Sequence, residues 1–163
     1  MQLRISGIIN DSIVDGPGLR LTVFTQGCLH NCPGCHNPQT HDISGGYFID
    51  TDEIIDKIKA NPLLQGVTLS GGDPFLQCEP LYELMAKINE LRLNTIIYTG
   101  FTWEELMENE SFKKLALMAD YIVDSKFIEE LKTLDIAFVG SSNQRIIDVK
   151  KTIETGELSL RRF

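Results

Sequence analysis

Five short apolar runs, rich in β-branched residues, recur along the chain: LRLTVF (19–24), GVTLS (66–70), NTIIYT (94–99), YIVD (121–124) and IAFVG (136–140). Their apolar character is nearly continuous, which predicts strands buried on both faces. Helical patterns lie between them. In 51–60, Ile54, Ile55 and Ile58 share one face behind Asp50 and Glu53 at capping-box positions. In 79–92, Pro80 suits a first turn, and Leu81, Leu84, Met85, Ile88 and Leu91 form one stripe. A third helix opens at Thr102, with Glu105 three residues on. Strand and helix alternate, so the expected class is α/β with a mainly parallel sheet and right-handed crossovers. Five or six strands are too few to close an eight-stranded barrel of ~250 residues, which leaves an open or partial β/α barrel. The 163 residues are expected to form one domain, 1–163.

In such a sheet the loops leaving the C-terminal ends of the strands build the site. Three glycine-bearing stretches fall there: the cysteine loop after the first strand, SGGDP (70–74) after the second and YTGF (98–101) after the third. The net charge of −8 argues against a general nucleic-acid binder and leaves small molecules and other proteins as partners. No apolar run approaches the ~18 residues of a membrane span, and the opening MQLRISGIINDSIVDG has no secretory core, so a cytoplasmic protein is expected. In that reducing compartment, Cys28, Cys32, Cys35 and Cys78 read as metal or redox chemistry rather than disulfides.

Three of these cysteines crowd into QGCLHNCPGCHNP (26–38), spaced C-x3-C-x2-C, with Gly27, Pro33 and Gly34 letting the backbone curl. Several readings stand beside one another. Zinc on the three thiolates plus His30, His36 or His41 is one, and a redox pair at Cys32 and Cys35 is another. Cys78 could complete a four-thiolate cluster. The fourth reading is an iron–sulfur cluster with one iron left without a protein thiolate. An open metal position marks catalysis, as it does at zinc. A molecule carrying both an amine and a carboxylate, such as S-adenosylmethionine, can chelate that iron, with the cofactors then carrying the chemistry.

The C-x3-C-x2-C loop after a first strand resembles the radical S-adenosylmethionine superfamily. The ordered set IVDGPGLR (13–20), QGCLHNCPGCHNPQT (26–40), GVTLSGGDPF (66–75), YTGF (98–101), ADYIVDSKF (119–127) and GSSNQR (140–145) is similar to the glycyl-radical activases that serve anaerobic ribonucleoside-triphosphate reductases. The resemblance implies a [4Fe–4S] cluster on Cys28, Cys32 and Cys35. Reductive cleavage of S-adenosylmethionine there yields a 5′-deoxyadenosyl radical that takes hydrogen from a glycine of the reductase. It also implies reduced flavodoxin or a similar electron donor. Activation of another glycyl-radical enzyme, such as a formate lyase, and a non-catalytic iron–sulfur or zinc module are the alternatives.

The same resemblance assigns the cofactor contacts. Gly71 and Gly72 let the backbone approach the ligand, Gly72 touching its amino-carboxylate end, and Asp73 could pair with the ammonium. Backbone groups of Gly34, Cys35 and His36 meet the adenosine part; Gly34 stands where many superfamily members carry an aromatic residue, and His36 could supply the stacking partner. Asp124 and Lys126, two apart at the end of the fourth strand, are expected on one side, near the methionine carboxylate. Ser125 occupies a position where close relatives often have glycine. The segment SSNQR (141–145) could contact cofactor or partner, and Arg20 is read as structural.

Overall fold

The computed structural model describes residues 1–163. The chain runs through β1 (Gln2–Ser12), β2 (Arg20–Thr25), β3 (Tyr47–Asp50), α1 (Thr51–Lys59), β4 (Gly66–Gly71), α2 (Cys78–Glu90), β5 (Asn94–Tyr98), α3 (Trp103–Glu108), α4 (Glu110–Ala116), β6 (Tyr121–Asp124), β7 (Arg145–Asp148) and α5 (Val149–Thr155). All seven strands join one open sheet in the order β3-β1-β2-β4-β5-β6-β7. The parallel heart, β2, β4, β5 and β6, bears out the expected α/β class. Antiparallel strands flank it: β1 and β3 on one side, β7 on the other. No helix is long and apolar enough to cross a membrane.

Four of the five apolar runs are the four parallel strands. The fifth, 136–140, is a loop. Its apolar residues cover the sheet instead of joining it: Val139 packs with Ile96, Val123 and Ile146, and Phe138 has φ +68, which an extended strand does not allow. The runs at β1, β3 and β7 are too irregular or too short to stand out from sequence. β1 alternates poorly and carries two register shifts, and β3 and β7 are four residues each.

The helices start where local chemistry dictates. Asp50 caps α1 by accepting from the Asp52 amide (2.9 Å), and Thr102 caps α3 by accepting from Glu105 (3.1 Å). α2 begins at Cys78 with no side-chain cap. Gln77 beside it is turned to β1 instead, accepting from the Arg4 amide (2.9 Å) and donating to its carbonyl (2.8 Å).

The two faces of the sheet differ. Leu21, Val23, Val67, Leu69, Ile97, Ile122 and Ile147 point to the helices and join Ile54, Leu81, Leu84, Met85, Ile88 and Leu106 in the larger core. The alternate positions face loops. At the β2–β4–β5 end this second face is polar: Thr68 donates to the Asp15 carbonyl (2.8 Å) and Thr22 to the Asp15 carboxylate (3.2 Å). Arg20 is fully buried there and donates to Thr68 Oγ1, to the carbonyls of Pro17, Val67 and Asn94, and to Asn94 Oδ1. Burial brings its guanidinium down to about 10. The rigid DGPGLR turn is therefore the strap over this face, and a Cβ at Gly16 would lie 2.6 Å from Ile96.

Candidate active site

Four loops leave the C-terminal ends of the parallel strands and, with the strap at 13–15, enclose one cavity of about 640 Å³. Its lining includes Cys28, Cys32, Cys35, His36, Gly71, Gly72, Thr99, Gly100, Ser125 and Phe127. That size suits a cofactor-sized ligand. Ile13, Val14 and Leu134 also line it while standing 72%, 72% and 93% exposed, so the cavity opens to solvent between apolar side chains.

The cysteine loop is closed at its base by Gly27 N–H donating to Thr40 (2.7 Å) and Cys28 N–H to His41 (3.2 Å). A turn at Pro33–Gly34, with Gly34 at φ +74, brings Cys35 N–H onto the Cys32 carbonyl (3.1 Å). All three thiols are free and half-buried. Burial pushes the Cys28 and Cys32 thiols up, and each is raised further by a neighbouring thiol. Ligation must therefore displace protons.

Cys78 does not line the cavity: its Sγ donates to the Phe75 carbonyl (3.2 Å), and burial pushes it up to about 11. His30 is engaged by Asp73 (2.6 Å), and His36 lies against Phe127 with ring centroids 5.0 Å apart. No three His, Cys, Asp or Glu side chains converge as a cage for one ion. Cys28, Cys32 and Cys35 all line the cavity, and three thiols there suit a multi-iron cluster in which each thiolate takes its own iron.

The GGDP turn is built differently from the sequence expectation. Gly71 has φ +96, and a Cβ on it would lie 2.6 Å from the Thr25 backbone. A Cβ on Gly72 would collide with the Gly27 carbonyl. Both glycines thus seat this turn on the cysteine loop, through Gly72 N–H to Thr25 and Asp73 N–H to Gly27 (both 2.8 Å). Asp73 is 1% exposed and does not line the cavity. Its carboxylate accepts from Phe75 N–H (3.1 Å), Thr99 Oγ1 (2.8 and 3.1 Å) and Gly100 N–H (3.0 Å), and meets His30. With those donors in place, protein groups meet both carboxylate oxygens.

Asp124 and Lys126 do not share a side. Ser125 sits between them at φ +78, in the left-handed region, which breaks the strand alternation. Asp124 is fully buried, accepting from Trp103 N–H (2.8 Å) and from Arg145, whereas Lys126 is exposed; neither lines the cavity. Gly34 is likewise on the outer side of its turn, where a Cβ would meet Glu129 at 2.9 Å. His36 does line the cavity.

Sequence reasoning missed several residues. Gln144 accepts from Gly140 and Ser141 amides (2.8 and 3.1 Å) and donates to the Ser125 carbonyl (3.0 Å), and Asn143 donates to that of Lys126 (2.9 Å). The SSNQR segment is thus the clamp on the loop that presents Ser125 and Phe127. Thr99 and Phe127 were within quoted motifs, and their places at strand ends were the available signal. His30 was weighed only as a zinc ligand.

Comparison with known proteins agrees with this layout. Residues 14–147 match the family model described as "4Fe-4S single cluster domain". The anaerobic ribonucleoside-triphosphate reductase-activating protein of Vibrio cholerae is 36% identical over 143 residues, 82% of this chain and 90% of that protein. Its counterpart from Salmonella typhi is 35% identical over 142 residues, covering 81% and 90%. The pyruvate formate-lyase-activating enzyme of Clostridium pasteurianum is 36% identical over 115 residues, but those span only 48% of its length. A likeness that extends over nearly the whole of both chains, on top of three cysteines facing one open cavity, settles the kinship: this chain belongs to the family of anaerobic ribonucleoside-triphosphate reductase-activating proteins.

Proposed function

We propose that this chain, acting as one domain over 1–163, activates an anaerobic ribonucleoside-triphosphate reductase, with Cys28, Cys32 and Cys35 holding a [4Fe–4S] cluster. When bound, the cluster and S-adenosylmethionine supply one-electron cleavage of a carbon–sulfur bond and a 5′-deoxyadenosyl radical, which takes a hydrogen atom from a glycine of the reductase. Reduced flavodoxin or a similar donor supplies the electron, and the setting is cytoplasmic, in keeping with four free cysteines.

The observation that carries the reading is the triad of thiols facing one cavity with no fourth cysteine beside them. Gly71, Gly72, Thr99 and Gly100 line the same space, and the three glycines bring backbone to a rim suited to an amino-carboxylate. His36 and Phe127 offer aromatic surface for a purine. Asp73 and Asp124 orient these loops from behind. The exposed apolar rim of Ile13, Val14 and Leu134 suits a protein substrate entering as a loop. Positioning, not acid–base chemistry, is what these residues contribute.

The test is to reconstitute the protein anaerobically, add dithionite and S-adenosylmethionine, and assay 5′-deoxyadenosine, then add the reductase and record electron paramagnetic resonance. Nucleoside release with a glycyl radical on the reductase is expected. An intact cluster that never cleaves the cofactor would make the chain a binding module; cleavage with radical transfer only to a formate lyase would reassign the partner.

A further inference from the structure

Residues 29–31, between the first two cysteines of the loop, make no backbone–backbone hydrogen bond; the amides of His30 and Asn31 turn inward to the Cys28 thiol instead. Leu29 is 71% exposed and Asn31 stands at φ +51. The one side-chain hydrogen bond from this stretch to the rest of the fold is made by His30. His30 is 9% exposed, its Nε2 lies 2.6 Å from Asp73 Oδ2, and its ring meets Phe101 edge-on with centroids 4.6 Å apart. Asp73 already accepts from two amides and a hydroxyl, so it is the acceptor and the imidazole Nε2 carries the proton, an assignment made from the network. The imidazole also depends on a gap in the third loop, because a Cβ at Gly100 would sit 2.5 Å from its Cδ2. One buried polar cluster thus joins the cysteine loop, the GGDP turn and the YTGF turn.

We propose that His30 is a positioning residue. Through Asp73 it fixes the stretch between Cys28 and Cys32 against the turns that face the cofactor, so that the cluster and the cofactor keep one spacing. This rests on the reading of Cys28, Cys32 and Cys35 as cluster ligands. Side chains outside the ligand set that orient the ligands typically contribute about 10–100-fold in metal affinity or activity.

The experiment compares wild type with His30→Gln, His30→Phe and His30→Ala, each reconstituted anaerobically. Two readouts serve: the rate of iron extraction by a chelator, and the affinity for S-adenosylmethionine from its effect on the resonance signal of the reduced cluster. Gln reaches Asp73 with an amide donor and is expected to stay near wild type. Phe keeps the packing on Phe101 but cannot donate; it and Ala are expected to lose iron faster and to bind the cofactor more weakly, each by about 10-fold or more. If Ala fails to fold, the Gln–Phe pair still decides. A wild type that loads no cluster overturns the site assignment and this inference together. A loaded wild type matched by His30→Phe in both readouts overturns this inference alone.

Discussion

The helix-covered and loop-covered faces of this sheet solve the same burial problem by different means. On the first, apolar side chains from β2, β4, β5, β6 and β7 meet α1–α4, and shape is what matters. On the second, a strap and a long loop close over a floor where Arg20, Thr22 and Thr68 are satisfied one hydrogen bond at a time. Packing tolerates exchange of similar volumes, whereas a polar floor tolerates nothing that leaves a donor or acceptor unmatched. The site lies at the end of the less tolerant face.

The cysteines offer the sharpest way to break this contrast. Cys28→Ala, Cys32→Ala or Cys35→Ala should each reduce 5′-deoxyadenosine formation to background, while Cys78→Ala, on the helix-covered side, should keep it. Loss of activity in a folded Cys78→Ala variant would erase the distinction. Next comes stability in urea. Leu84→Met should cost less than about 1.5 kcal/mol. Arg20→Met, which strands the acceptors of Thr68, Val67, Asn94 and Pro17, should cost about 3 kcal/mol or more. Arg20→Lys should recover little of it, since an ammonium cannot reproduce the guanidinium fork. Equal costs at the two sites would refute the comparison.

A smaller effect is expected at Gly72. Adding a Cβ in Gly72→Ala pushes the GGDP turn off the Gly27 carbonyl, so calorimetric affinity for S-adenosylmethionine should fall about 10-fold and the thermal midpoint should fall with it. The smallest effect is on pH dependence. The folded state holds Cys78 protonated up to about 11, above its ordinary value of 9.0. The unfolded chain therefore releases this proton first, and the stabilisation, complete below pH 9, is lost as pH rises toward 11. Chemical denaturation across that window should show a shallower decline for Cys78→Ala than for wild type.

The legibility of the sequence divides along the same line. The helix-covered face was readable because burial there follows local periods: the strands at 20–25, 66–71, 94–98 and 121–124 and the stripe of α2 all follow from spacing. The three-cysteine loop was readable because its ligands are neighbours in sequence. The loop-covered face was not. The apolar run at 136–140 looks like a strand from its composition, although only Val139 is buried and the run lies over the sheet and makes no ladder. Nor could spacing reveal that Asp73 is filled by Thr99, Gly100 and His30, or that Ser125 turns left-handed and separates Asp124 from Lys126. Those facts depend on partners up to 43 positions apart in the chain.

Arg20 also bears on how the molecule assembles. All three of its guanidinium nitrogens find acceptors, at 17, 67, 68 and 94, on two strands besides its own and on the strap. A nascent sheet of β2 and β4 alone would leave part of that cation dehydrated with nothing to receive it, a costly species. The first stretch of chain must therefore wait for residue 94 before this end can close, which favours late, concerted consolidation through a contact of long sequence separation.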